Sequence, residues 1–280
     1  THCTSSAASD VYKRQLHPWA EMVRFARTGG EANAISVRIA RAATGKSKVA
    51  VCGYHGWHDW YLSSNLSDDT NLNQHLLPGL KPNGIPSELL GTVIPFPYNN
   101  LDELNKIISN NDIGVIKMEV SRSVEPEDGY LNSIRKIADE NNIILIFDEC
   151  TSGFRETFGG LHKKYGVEPD MMVLGKAMGN GYAITAVLGK RDVMQIAEET
   201  FISSTFWTER IGPTAALKTL EIMEREKSWE LITKIGKNIG KRWKSMAKSN
   251  GLPINISGLP ALISFDTVSY THLRAHETSR

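Results

Sequence analysis

Two patterns of hydrophobic and polar positions, one typical of strands and one typical of helices, alternate along the chain. Together they predict an α/β fold. Short apolar runs predict strands, and apolar residues three or four positions apart predict helices. The predicted strands are Lys48–Cys52, Ile113–Met118, Ile143–Phe147, Met171–Leu174 and Ala186–Leu188, and the predicted helices are Glu31–Ala43, Leu101–Ser109, Tyr130–Asn141, Ile211–Arg225 and Trp229–Ser249. Because strands and helices alternate, the pattern favours one mainly parallel sheet that is covered by helices.

Neither pattern continues between Gly53 and about Gly91. A connection of this length is uncommon in a compact domain, and such segments often form the lid or the wall of a binding site. In parallel sheets, ligands bind at the carboxyl ends of the strands. The residues that follow each predicted strand are therefore the first candidates for function.

Composition and charge narrow the classes of partner. The chain has 32 basic and 31 acidic residues and a net charge of +1, which gives no electrostatic reason to expect nucleic acid or an acidic membrane. No apolar run approaches the roughly 18 residues that a membrane span needs. The three scattered cysteines, Cys3, Cys52 and Cys150, favour reduced thiols in a cytoplasmic protein.

Two glycines, Gly29 and Gly30, precede the first predicted helix in the segment TGGEAN (Thr28–Asn33). Bare backbone N–H groups and the positive end of a helix form an anion site, although a simple turn explains the same pattern. The segment TGKS (Thr44–Ser47) lacks the earlier glycine of a phosphate-binding loop and follows a helix, so we interpret it as a helix end.

The segment GYHGWHDW (Gly53–Trp60) follows the first predicted strand. Its aromatic rings, that of Tyr54 among them, would form a flat wall for a planar ligand, and a purely structural aromatic cluster is the alternative. His55, His58 and Asp59 also suggest a metal, but their spacing matches no zinc pattern. We therefore predict no metal site.

Asp148 follows the most apolar predicted strand, where an acid is costly unless a charged partner lies nearby. A protonated pyridine nitrogen is one such partner, and a carboxylate that caps the next segment is the alternative. Lys176 stands directly after another strand, in a glycine-rich segment. A lysine amine forms a Schiff base once burial or nearby positive charge lowers its pKa, whereas an exposed loop lysine is the alternative.

The order of these features resembles that of the fold-type I enzymes that depend on pyridoxal 5′-phosphate (PLP), and in particular the class III aminotransferases, which include the glutamate-1-semialdehyde 2,1-aminomutases. The segment LIFDECTSGFR (Leu145–Arg155) resembles the strand with the ring-binding aspartate, and PDMMVLGKAMGNGYAITAVLGKR (Pro169–Arg191) resembles the cofactor-lysine segment. TGGEAN resembles the phosphate motif, and GYHGW resembles the ring-stacking motif. The resemblance covers roughly residues 20–265.

The resemblance implies roles around the ring of the cofactor. Lys176 would form the Schiff base and shuttle protons, and Asp148 would bind the pyridine nitrogen. Tyr54 would stack on the ring, with His55 beside it in the cofactor site. Glu119 follows the strand Ile113–Met118 and falls where the family has an active-site glutamate.

The resemblance also implies a phosphate site that two subunits share. Gly29 and Gly30 would bind the phosphate through their backbone N–H groups. Thr205, in the segment Ser203–Phe206, would reach the phosphate of the neighbouring subunit in a homodimer.

Three departures distinguish this chain from the family pattern. Gly30 stands where the family often has serine or threonine, and Val120-Ser121 replaces a proline-containing stretch. The run Trp207–Arg210 replaces a series of small residues. The substrate side of the pocket is therefore expected to differ from that of the best-known members.

The implied activity is transfer of an amino group from an amino donor to a carbonyl acceptor, both small molecules. The alternatives are an intramolecular aminomutase and a catalytically inactive relative of the fold. The presence of both Lys176 and Asp148 argues against the inactive relative. A nucleotide-binding module is disfavoured because no G-x-G-x-x-G segment follows a strand.

The chain is expected to divide into a PLP-binding large domain over residues 16–245 and the start of a C-terminal small domain over residues 246–267. Residues 1–15 and 268–280 resemble translated adaptor or vector sequence, and natural disordered tails are the alternative. The resemblance indicates a truncated fragment without most of the small domain. That truncation leaves open whether the fragment alone is active.

Overall fold

A seven-stranded sheet organises the computed structural model, which describes residues 16–75, 78–121, 123–204, 206 and 209–267. Its strands, in chain order, are β1 (Met22–Ala26), β2 (Lys48–Cys52), β3 (Val93–Pro95), β4 (Ile113–Met118), β5 (Ile144–Glu149), β6 (Met171–Leu174) and β7 (Thr185–Gly189). Across the sheet they follow the order β1-β7-β6-β5-β4-β2-β3.

The five strands from β6 to β3 run parallel to one another. Strand β7 is antiparallel to β6, and β1 is antiparallel to β7. This topology confirms the predicted mainly parallel sheet. The two edge strands, β1 and β3, were not predicted, because β3 has only three residues and β1 has mostly half-buried residues without a continuous apolar run.

Helices cover both faces of this sheet. The helices of the described residues are α1 (Gly29–Thr44), α2 (Asp59–Leu62), α3 (Leu101–Asn110), α4 (Tyr130–Glu140), α5 (His162–Tyr165), α6 (Arg191–Met194), α7 (Ile211–Glu226) and α8 (Ser228–Ser249). Short 3₁₀ turns occupy Ser63–Leu66, Ser87–Leu89, Lys176–Met178, Gln195–Glu199 and Pro260–Leu262. Helix α1 packs with one face of the central strands in a buried apolar cluster, and α3 and α4 pack with the opposite face in a second cluster.

The five predicted helices are all present, with ends displaced by at most two residues. Side-chain caps account for two of the beginnings. The Thr28 hydroxyl accepts a hydrogen bond from the Glu31 N–H at 3.2 Å, and the Asn100 side chain accepts one from the Glu103 N–H at 2.9 Å. Such caps satisfy N–H groups that have no partner within the helix. Helix α1 ends at Gly45, whose φ of 67° is left-handed, as predicted.

A separate antiparallel pair, β8 (Ile254–Ser257) and β9 (Ser264–Thr267), follows α8 near the end of the described chain. Helix α8 contacts β8 and the 3₁₀ turn Pro260–Leu262. None of the helices in the described residues combines the length and the apolar character that a membrane crossing requires.

Candidate cofactor site

Neighbouring parallel strands bring Asp148 and Lys176 to the same edge of the sheet. Strand β5 ends in Asp148-Glu149, and these residues pair with Val173 and Leu174 of β6. Lys176 follows β6 after one glycine. The carboxyl ends of parallel strands lie at the edge where ligands bind, so both residues stand at that edge. Asp148 lies inside β5, whereas the sequence analysis ended this strand at Phe147.

Lys176 is exposed, and its Nζ donates a hydrogen bond to the Thr151 hydroxyl at 2.7 Å. Its φ of 42° lies in the left-handed region, which costs an ordinary L-residue roughly 1–2 kcal/mol. Strained backbone of this kind concentrates at functional sites, where the surrounding structure holds it in place. The conformation sets the direction of this lysine at the start of the turn Lys176–Met178.

Asp148 is only 3% exposed, yet its carboxylate has several partners. Its Oδ1 accepts a hydrogen bond from the Cys150 N–H at 3.1 Å, and its Oδ2 lies 2.9 Å from Nδ1 of His55. Burial acts to raise the pKa of Asp148, but the hydrogen bond with His55 and the positive charge of Lys117 outweigh it and lower the pKa to about 2. The carboxylate is therefore ionised at neutral pH.

His55 is the buried hydrogen-bond donor to that carboxylate. An ionised carboxylate only accepts hydrogen bonds, so Nδ1 of His55 carries the proton that points at Asp148. Burial lowers the pKa of His55, although its hydrogen bond with Asp148 acts in the opposite direction. We infer a neutral imidazole with its Nδ1–H on Asp148, an arrangement that orients the carboxylate without adding a charge.

Lys117 is a component of this site that sequence reasoning missed. It is completely buried in β4, and its Nζ donates a hydrogen bond to the Ser36 hydroxyl of α1 at 3.0 Å. Burial lowers the pKa of Lys117 to about 8, while the negative charge of Asp148 partly opposes the shift. The available signal was a lysine inside an otherwise apolar strand, Ile113–Met118, because lysines are almost never fully buried without a partner.

The paired glycines form the first turn of α1. Their backbone N–H groups belong to the helix end that attracts anions. A Cβ at Gly30 would lie 2.8 Å from the His58 ring, and a Cβ at Gly56 would lie 2.9 Å from Cα of Gly30. Close packing between the α1 turn and the segment Gly53–Trp60 therefore gives a physical reason for glycine where the family often has serine or threonine.

Glu119 contacts the backbone that carries Tyr54. Its Oε2 accepts a hydrogen bond from the Tyr54 N–H at 3.0 Å, and a Cβ at Gly53 would lie 2.7 Å from the same oxygen. The Tyr54 ring is half-buried and meets the Tyr61 ring edge to face, with centroids 6.1 Å apart. The geometry thus supports a positioning role for Glu119, which holds the turn that presents Tyr54.

Replacing Glu119 with alanine should raise the Kd of PLP about tenfold, because the turn at Tyr54 loses a hydrogen bond to a charged acceptor worth about 1.5 kcal/mol. An absorbance titration of the cofactor-free protein with PLP measures this Kd. Glu125→Ala is the matched control, because Glu125 is an exposed acid that pairs with Lys164. Equal affinity in both variants would show that the contact with Tyr54 does not support the ring.

Thr205 lies outside the described residues, so its predicted contact with a second subunit stays a prediction. The other predicted site residues cluster at the carboxyl edge of β2, β4, β5 and β6, or at the start of α1. His55 lies behind Asp148 as its hydrogen-bond partner. The three residues considered for a metal have different contacts. His55 bonds with Asp148, the His58 ring packs over Gly30, and Asp59 begins α2.

This arrangement fits PLP at three points. The buried, ionised Asp148 matches a protonated pyridine nitrogen, because a cation is the partner that a buried carboxylate favours. Lys176 is exposed, unlike the buried lysine that the sequence analysis considered, and its side chain is open to an aldehyde. The glycine turn at Gly29-Gly30 presents backbone donors suited to a phosphate.

Two curated relatives illustrate the similarity of the chain to known enzymes. The 3-aminobutyryl-CoA aminotransferase of Cloacimonas acidaminovorans (strain Evry) is 38% identical over 256 residues. The glutamate-1-semialdehyde 2,1-aminomutase of Methanothrix thermoacetophila is 33% identical over 255 residues. Each match covers 88% of this chain but only 58% of the relative, so the chain spans less than two thirds of their length.

A solved structure shares the fold of this chain, and a family model matches most of its length. The FumI protein of Sphingopyxis sp. MTA144, in its PLP internal aldimine form, superposes with a TM-score of 0.81 over 95% of this chain and 61% of that one. At 21% identity, this likeness supports the fold alone. The family model of the class-III aminotransferases matches residues 4–278. The chain therefore belongs to the class-III aminotransferases, and PLP is the cofactor for which its site is built.

Proposed function

We propose that the whole protein is a PLP-dependent aminotransferase that moves an amino group from an amino donor to a carbonyl acceptor, with Lys176 as the lysine that holds the cofactor. The observation that supports this proposal most directly is the pair formed by Asp148 and Lys176 at the ends of β5 and β6. A catalytically inactive relative would have no need of both groups.

Each site residue has a distinct part in this proposal. Bound PLP supplies an electron sink for breaking a bond beside the amino group. Lys176 holds the cofactor and moves a proton at the substrate carbon, since its Nζ is exposed and directed by Thr151. Asp148 keeps a proton on the ring nitrogen, and His55 orients Asp148. Glu119 positions the turn at Tyr54.

The curated relatives suggest which substrates deserve the first test. The relative with 38% identity acts on 3-aminobutyryl-CoA, by its name, so a β-amino thioester is our first candidate for the amino donor. An intramolecular aminomutase is the second candidate function, because several relatives at 30–33% identity are glutamate-1-semialdehyde 2,1-aminomutases.

A single kinetic comparison separates these two functions. We expect the full-length enzyme, loaded with PLP, to consume a β-amino thioester only when a separate keto acid is present, because a transferase must pass the amino group to a second molecule. The measurement is product formation by mass spectrometry, with and without the acceptor. Isomerisation of glutamate-1-semialdehyde without any added keto acid would instead support the aminomutase.

We also propose that the enzyme acts as a two-fold homodimer in which Thr205 completes the phosphate site of the other subunit. The support is the family resemblance of the segment Ser203–Phe206 and the frequency of two-fold symmetry among oligomeric proteins. Light scattering of the full-length enzyme tests this. A monomer that binds PLP at full occupancy would refute the shared site.

A further inference from the structure

Lys117 is a buried cation with no assigned role in the proposed reaction. Its side chain is 0% exposed and lies between α1 and the central strands, where it donates to Ser36. Ser36 is itself buried and donates to the carbonyl of Asn33 at 2.8 Å, so its oxygen is oriented toward the lysine. A neutral hydroxyl alone compensates poorly for the charge of an ammonium group in an apolar interior.

Sheet register places Lys117 on the same face as Asp148. Lys117 pairs with Ile146 of β5, and Asp148 follows Ile146 by two positions. Residues two apart on a strand share one face, so Lys117 and Asp148 are diagonal neighbours under α1. Asp148 is the negative group that acts most strongly on the lysine, and the lysine acts in turn on both Asp148 and His55.

The charges of this cluster can therefore be counted. His55 is neutral, Asp148 is negative and a protonated Lys117 is positive, so the cluster is balanced without cofactor. Two further buried groups act on this cluster. Burial raises the pKa of the Cys150 thiol well above the usual range and lowers the pKa of His75 to about 4, which keeps both neutral, and the exposed Lys176 acts on it only through Cys150. A protonated ring nitrogen against Asp148 would add a second cation to a buried space with one anion, which is unfavourable at low dielectric.

We propose that Lys117 is a positioning residue for Asp148: its ammonium is the counter-ion of the carboxylate in the cofactor-free protein, and it releases its proton to solvent when the cationic ring nitrogen takes that place. The inference rests on the proposed function, which supplies the orientation of the ring against Asp148. The proton balance is simple, because Nζ of Lys117 loses one proton and the ring nitrogen keeps its own.

The first test needs no cofactor. Lys117→Met removes the charge at nearly constant volume, and Lys136→Met is the control, because Lys136 is an exposed lysine of α4. The pKa of Lys117 is about 8 in the folded protein, below its ordinary 10.5, so the unfolded chain binds more protons between these values. The stability of the wild type should therefore rise relative to Lys117→Met as pH rises through that window.

Urea unfolding of the cofactor-free proteins from pH 7 to 10.5 measures this difference. Parallel stability profiles for the wild type and Lys117→Met would overturn the inference, because a Lys117 with an ordinary pKa would not give up its proton when the cofactor binds at pH 7. Ser36→Ala provides a second variant that retains the lysine. Without the Ser36 acceptor the ammonium is less stable, so the rise in stability should begin at a lower pH than in the wild type.

The second test measures how many protons are released when PLP binds. Calorimetric titration with PLP at pH 7, in two buffers of different ionisation enthalpy, gives the number of protons released. The wild type and Lys136→Met should release about one more proton per bound cofactor than Lys117→Met. If the wild type binds PLP but releases the same number of protons as Lys117→Met, this inference alone would be overturned. A wild type that does not bind PLP on Lys176 would refute the proposed function, and the inference with it, while the cofactor-free profiles still report the charge of Lys117.

Discussion

Replacing Lys176 with alanine is expected to lower the turnover of the full-length enzyme by at least about 10²–10⁴-fold, the usual contribution of one positioned acid–base group. The variant loses both the amine that holds the cofactor and the group that moves the proton. Borohydride reduction of the wild type should also fix the cofactor on the peptide that bears Lys176. Peptide mass spectrometry of wild type and variant measures the label.

Lys218→Ala is the control for this experiment. Lys218 is an exposed lysine that lines the same groove as Lys176 and pairs with Glu221 at 2.8 Å, so its loss should leave the label and the turnover unchanged. A label on Lys218 or on any other lysine would end the assignment of Lys176.

Asp148→Asn is expected to slow transfer of the amino group from the donor to the bound cofactor by about 10²–10³-fold. This corresponds to a loss of roughly 3–4 kcal/mol of transition-state stabilisation, which is typical of one preorganised electrostatic contact. The amide keeps the shape of the carboxylate but does not hold a proton on the ring nitrogen. The stabilisation is needed mainly in the transition state, so borohydride should still fix the cofactor on Lys176.

Single-turnover kinetics with an amino donor, followed by absorbance, measures this effect. Asp112→Asn is the matched control, since Asp112 is an exposed carboxylate that pairs with Lys46. Because the pKa of Asp148 is about 2, the wild-type rate should show no titration of this carboxylate near neutral pH. A near-wild-type rate in Asp148→Asn would mean that the carboxylate is a structural cap.

The sequence was sufficient to locate residues at the carboxyl end of a strand. Asp148 and Lys176 are examples, because apolar runs predict buried strands and the edge where parallel strands end is the ligand edge. The antiparallel orientation of β7 could also have been predicted from the sequence. Only residues 175–184 separate β6 from β7, and a parallel crossover needs about a dozen residues or more.

Contacts between distant parts of the chain could not be predicted from the sequence. His55 and Asp148 are 93 positions apart, and Lys117 and Ser36 are 81 positions apart. Their meeting depends on the register of three strands and on the packing of α1, which no local pattern encodes. The family resemblance supplied His55 as a cofactor-site residue, but its contact with the carboxylate emerged only from the fold.

The short strand β3 has a consequence for the behaviour of the protein at high concentration. It is an edge strand of the sheet that the described residues form, and the Phe96 N–H donates inward to the Val51 carbonyl at 2.9 Å. Successive amides of a strand point to opposite sides, so position 95 faces outward, and Pro95 has no N–H to offer there. A strand of another molecule would therefore lack a donor at this position, which protects the sheet from edge-to-edge aggregation.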